Sequence, residues 1–227
     1  MYEPTIAVIF DLFGTLVPPV DRRVYREAVD AVASALDVDA EAVAVLWMED
    51  QSFRRLLMTT GSSTLSQIDR TCERLGLPRP LADRRRAAAV HLDSHRVWME
   101  PWPDSLATLH RLREHNLRLG LISDCSISVP ELWAESPFGA LFVCALFSCI
   151  EGMAKPASGL FTTICRRLGV HGADCVYVGD RLDELQGASA VGMRAVWLSA
   201  SVANTPDSWP GPRIASPGEV CAFVRAA

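Results

Sequence analysis

Lysine is nearly missing from this chain. Of its 22 basic residues 21 are arginine, and the exception is Lys155. Arginine therefore supplies the surface charge, and the solitary ammonium stands out as a candidate for a task that needs a compact point charge. A net positive balance is missing too. The formal charge is −5, with acidic and basic residues interspersed, which argues against a nucleic-acid-binding stripe. The short cluster Arg84-Arg85-Arg86 reads as a solvated helix face rather than an anion site. No apolar run reaches the roughly 20 residues of a membrane helix. Met1-Tyr2-Glu3-Pro4 leads towards a strand without the charged and apolar segments of a signal peptide. The seven cysteines are odd in number and include no Cys-x-x-Cys pair. That favours reduced, mostly buried thiols in a cytoplasmic protein over a disulfide framework. Cys125 has no neighbouring histidine to make it a nucleophile. No internal repeat is present. The expected partner is a small molecule, with neither nucleic acid nor membrane involved.

What is present starts with Ile6–Val17, I-A-V-I-F-D-L-F-G-T-L-V. An apolar run of strand length, stopped by a turn, reads as a strand buried on both faces. Asp11 would end that strand, where open parallel sheets bind their ligands. An unpaired buried carboxylate is expensive, so Asp11 fits a place beside a cation or a role as nucleophile. Capping of the turn is the plainer alternative.

The 227 residues, 49% of them hydrophobic, suit one sizeable domain or a core with a smaller insert. Pro18-Pro19 breaks the first segment. Helical spacing follows from Asp21 to Leu36, carried by Val24, Ala28, Val29, Val32 and Leu36, and again over 40–58. Thr60–Ser63 is a loop. Thr64–Leu75 is a third helix, closed by Gly76, and a fourth runs to about Val97. From Asp104 the pattern alternates instead. Leu106, Leu109 and Leu112 share a helix face, and strands are expected over 117–122, 145–148, 175–178 and 195–198. Helices over 161–168 and 185–191 lie between them, as in a doubly wound sheet. Residues 199–217 read as a loop and 218–225 as a closing helix.

Three more stretches carry chemistry. Ser123 ends the strand Leu119–Ile122, and its hydroxyl with the following backbone N–H groups can hold a phosphoryl or carboxylate oxygen. Asp124 beside it either caps the next helix near Val129 or orients a partner. Lys155 can offset the charge of both a nucleophile and a phosphate. Asp180 ends the strand Val176–Val178 after Gly179 and is best explained as a metal ligand. Asp183 and Glu184 follow, where capping of the next helix is an alternative.

The sequence D-x-F-G-T at 11–15, with Ser123, Lys155 and Gly179-Asp180 in that order, resembles the haloacid dehalogenase-like hydrolase superfamily. The resemblance spans nearly the whole chain and extends to the family's helical-cap subclass. It implies an α/β fold, a Rossmann-like doubly wound parallel sheet at 1–17 and 100–227, with an all-helical cap inserted at 18–99. It implies that Asp11 is a covalent nucleophile. It also implies that Mg²⁺ is held by Asp11, the Phe13 carbonyl, Asp180 and a second acidic residue, for which the reading leans to Glu184 over Asp183. Phe13 departs from the family's phosphatases, most of which carry there an aspartate that protonates the leaving group.

The reading is then a Mg²⁺-dependent phosphatase acting on a small phosphomonoester. Asp11, Ser123 and Lys155 are catalytic, and Phe13, Gly14, Asp124 and Arg54 lie against the substrate. Trp47, Glu49, Asp50, Arg54 and Arg55 are expected on one amphipathic helix, with Arg54 or Arg55 towards the cleft. His91 and His95, at i and i+4, read as surface residues. Two alternatives stand beside this. A metal-free 2-haloacid dehalogenase agrees with the aromatic residue at 13 but not with Gly179-Asp180. A non-catalytic phosphate-binding scaffold agrees with Phe13 and Asp124 but not with the four polar residues together.

Overall fold

The structure is a computed structural model that describes residues 5–198 and 209–224. Six parallel strands form its sheet: β1 (Ala7–Phe10), β2 (Arg118–Ser123), β3 (Cys144–Phe147), β4 (Cys175–Gly179), β5 (Arg194–Leu198) and β6 (Arg213–Ile214), in the order β3-β2-β1-β4-β5-β6. The continuous apolar runs have a direct cause. Successive side chains point to opposite faces, and both faces are covered. β1 sends Val8 and Phe10 into one buried layer and Ala7 and Ile9 into the other.

The helical segment between β1 and β2 contains α1 (Arg22–Leu36), α2 (Ala40–Ala44), α3 (Gln51–Thr59), α4 (Thr64–Leu75), α5 (Leu81–Trp98) and α6 (Ser105–Glu114). The first five pack around their own apolar cluster, in which Val32, Leu36, Trp47, Ile68 and Ala87 are buried. Asp21 caps α1 by accepting from the Val24 N–H at 2.9 Å. Gly76, in the left-handed conformation, closes α4.

Two expectations fail here. Residues 40–58 are not one helix: a π-helical turn spans Val45–Glu49 and Asp50 breaks the backbone before α3. The Asp50 carboxylate accepts from the Ser52 and Phe53 N–H groups and starts a new helix, so Glu49 and Arg54 stand on different elements. His91 and His95 are not surface residues. They are 1% and 5% exposed, because their face of α5 packs against Trp47 and Gln67.

The remaining helices are α7 (Ser128–Trp133), α8 (Ser148–Glu151), α9 (Ser158–Leu168) and α10 (Leu182–Ala190). The closing helix is a 3-10 turn over Pro217–Ala222. Of the loop expected over 199–217, residues 199–208 lie outside the described residues, and Arg213–Ile214 forms β6 instead. No helix among the described residues is long and apolar enough to cross a membrane.

Candidate active site

In a sheet of this order the strand sequence reverses beside β1, between β1 and β4, and the crevice at their carboxyl ends is the natural ligand site. Asp11 follows β1, and its N–H donates to the Val178 carbonyl at 2.9 Å. The chain then turns tightly. The Leu12 carbonyl accepts from the Leu16 N–H at 2.8 Å and the Gly14 N–H donates to the Val17 carbonyl at 2.9 Å. Gly14 has φ +80°, and a Cβ there would fall inside the Asp180 carboxylate. Glycine is therefore what lets the first turn meet the turn after β4.

Lys155 is buried and its ammonium donates to Asp11 and, at 3.0 Å, pairs with Glu184. Asp124 does not cap the next helix. It accepts from the Lys155 backbone N–H at 3.0 Å, which ties the lysine loop to the end of β2. The Ser123 hydroxyl is buried and has no hydrogen-bond partner among the described residues, a costly state for a polar group unless something else is meant to meet it. Thr15, overlooked in the sequence, has the same property. The other oversight is Tyr177, whose phenol donates to Glu184 at 3.0 Å. A tyrosine two residues before the Gly-Asp turn, inside an apolar strand, was its available signal.

Between the two acidic candidates, Asp183 pairs outward with Arg181 at 2.7 Å. Glu184 faces inward and lies with Asp11 and Asp180 in a group whose carboxylate oxygens are all within 4.8 Å of one another. Asp11, Asp124 and Glu184 thus surround one ammonium, with Asp180 beside Asp11 and Glu184. Burial lifts the Asp11 carboxyl to about 6, against the pull of Lys155 and with Asp180 adding to the rise. Burial raises Glu184 and Asp124 as well, and Lys155 opposes both. For Lys155 burial acts downward, but Asp11, Glu184 and Asp124 outweigh it and hold the ammonium above its ordinary value. The excess of hard oxygen donors over positive charge fits a small divalent cation such as Mg²⁺.

Above this group lies a cavity of about 510 Å³, lined from the core by Phe13, Asp124 and Arg181 and from the helical segment by Arg54 among others. Arg54 thus lines the cleft. Cys125 is buried, and burial pushes its thiol up, away from a nucleophilic thiolate. Of the basic cluster, Arg84 pairs with Asp69 and Arg86 with Asp83.

Comparison with known proteins points to one family. The haloacid dehalogenase-like hydrolase family model matches residues 7–192. The chain is 31% identical over 199 residues to a glyceraldehyde 3-phosphate phosphatase of Methanopyrus kandleri, covering 84% of this chain and 82% of the relative. It is 28% identical to a ribulose-1,5-bisphosphate 5-phosphatase of Halopiger xanaduensis, covering 86% and 85%. The fold is similar to that of a 2-haloacid dehalogenase from Pseudomonas syringae, with TM-score 0.71, 24% identity and coverage of 96% and 97%. The chain belongs to the haloacid dehalogenase-like hydrolase family.

Proposed function

We propose that the protein is a Mg²⁺-dependent phosphatase that hydrolyses a small phosphomonoester through an aspartyl-phosphate on Asp11. The observation that carries this reading is the convergence of Asp11, Lys155, Asp180 and Glu184 at the sheet's reversal point. A carboxylate attacking a phosphate brings two anions together, and their repulsion must be offset. Mg²⁺, when bound, supplies positive charge at that point. Asp11, Asp180 and the Phe13 carbonyl would hold it. Glu184 belongs to the same acidic group and also fixes the lysine, with Tyr177 behind it.

Asp11 attacks phosphorus, a P–O bond to Asp11 forms, and the bond to the alcohol breaks. The alcohol takes its proton from water or from the substrate, because Phe13 has none to give. Ser123 donates to a phosphoryl oxygen, and Lys155 offsets charge on Asp11 and the phosphoryl group. Water then attacks phosphorus, releasing phosphate and the Asp11 carboxylate. The helical segment 18–99 acts as the cap and presents Arg54 to the substrate.

The test is turnover of p-nitrophenyl phosphate. Asp11→Asn abolishes it and EDTA suppresses it. Full activity after chelation contradicts the metal part. Phe13 supports a second reading, a dehalogenase forming an alkyl ester on Asp11. Metal-independent halide release from a 2-haloacid, with no phosphatase activity, would decide for it.

A further inference from the structure

One wall of the cavity is a continuous file of rings. Tyr25 packs on Trp98 with centroids 5.7 Å apart, Trp98 on His95 at 4.8 Å, His95 on His91 at 4.5 Å, and His91 on Trp47 at 4.8 Å. All but His91 line the cavity. Two of their polar atoms are engaged elsewhere. Trp47 donates to the Thr71 hydroxyl at 3.0 Å. His95 donates from Nδ1 to the His91 carbonyl at 3.0 Å. Burial holds both imidazoles below their ordinary value, so the file carries no charge at neutral pH. Core packing alone would account for the buried members, but Tyr25 and Trp98 are only half buried and face open volume.

A buried amide stands beside this file of rings. Gln67 lines the same cavity and is 4% exposed. Its Nε2 meets His91 Nε2 at 3.2 Å, while its Oε1 is buried without a hydrogen-bond partner among the described residues. Turning the amide over only exchanges which atom is left unpaired. Such a group is expensive in a folded chain and becomes economical when a ligand supplies the missing bond.

We propose that the phosphorylated substrate is the ester of an amphiphilic alcohol. Its body is apolar and ring-sized and lies along Tyr25, Trp98 and Trp47, and it bears a hydroxyl at the end remote from phosphate that meets Gln67. This rests on the phosphatase reading and narrows it. A triose phosphate, hydrophilic throughout, would set hydroxyls against the apolar faces of these rings. An apolar body gains from that contact.

Three primary alkyl esters with closely matched leaving groups test the idea: glyceraldehyde 3-phosphate, 2-(2-naphthyl)ethyl phosphate and the latter's 6-hydroxy derivative. They are assayed with the full chain at fixed Mg²⁺, with p-nitrophenyl phosphate as the reference for turnover. The expected kcat/KM rises about tenfold or more from the triose to the naphthyl ester. It rises again for the hydroxylated ester, and Gln67→Leu removes that second gain. Trp98→Ala raises KM for both naphthyl esters more than it lowers kcat. Hydrolysis of p-nitrophenyl phosphate with the triose phosphate equal to or better than the naphthyl esters overturns the proposal and leaves the phosphatase reading standing. A ring preference without a hydroxyl gain overturns the role of Gln67. Hydrolysis of none of the four overturns both readings.

Discussion

Replacing Lys155 by methionine removes one charge and keeps most of the side chain's volume. In the native protein the ammonium contacts Asp11 and Glu184, and none of the three side chains is more than 7% exposed. Deleting one member of a buried ion pair costs about 3–5 kcal/mol when the partner stays charged. Here the partners can escape by taking up protons, and this sets a pH dependence. Asp11 titrates at about 6 with Lys155 in place, against 3.8 as its ordinary value. Without the ammonium, its folded-state value rises further while the unfolded value is unchanged. A carboxyl raised on folding contributes stability that is fully present below the unfolded value and lost as pH rises through the folded one. The deficit of Lys155→Met therefore grows from pH 5 to pH 8. It grows by about 1.4 kcal/mol for each unit by which Asp11 moves up. Urea unfolding in EDTA reads it directly. A loss of about 3–5 kcal/mol is expected at pH 8, with a clearly smaller one at pH 5. Equal losses at both pH values would refute the electrostatic account, leaving only packing.

Two further outcomes follow from the same geometry. Burial holds His95 at about 4 in the folded chain, against 6.5 ordinarily. The unfolded chain therefore takes the proton first, and about 3 kcal/mol of stability present above pH 6.5 is lost as pH falls to 4. His95→Gln should flatten the stability profile between pH 7 and 4.5 in urea unfolding; an unchanged slope contradicts the burial argument. Gly14→Ala forces a positive φ on a residue with a Cβ and drives that atom into Asp180. It should cost about 1–3 kcal/mol and weaken Mg²⁺ binding measured by calorimetry. Unchanged stability and affinity would show that the two turns need no such close approach.

The site was legible where chemistry is written locally. Asp11, Ser123 and Asp180 each end or follow a buried strand, and a strand's apolar run with its stopping turn is a short-range signal. Lys155 was legible by scarcity. The interior of the helical segment was not. His91 and His95 sit on a helix with weak apolar periodicity among Arg, Asp and Ser, and only Trp47, 44 residues before His91, reveals that this face is covered. The break at Asp50 was hidden because Leu46, Trp47, Phe53 and Leu57 all reach the same core, so apolar residues continue across a π-helical turn. Tyr177 reads in sequence as one more strand residue, because its ring packs edge-on against Phe161 while only its hydroxyl reaches Glu184. β6 is two residues long and is specified by its pairing with Trp197 and Leu198 rather than by its own sequence.

The central claim is that the Asp11 carboxylate becomes covalently bonded to the substrate's phosphoryl group. Rapid acid quench of the protein during turnover of a phosphomonoester, followed by peptide mass spectrometry, reads that bond. The account predicts a phosphoryl adduct on Asp11 that forms with Mg²⁺ and is missing from Asp11→Asn. Sustained turnover with no adduct on Asp11, or undiminished turnover by Asp11→Asn, would contradict it.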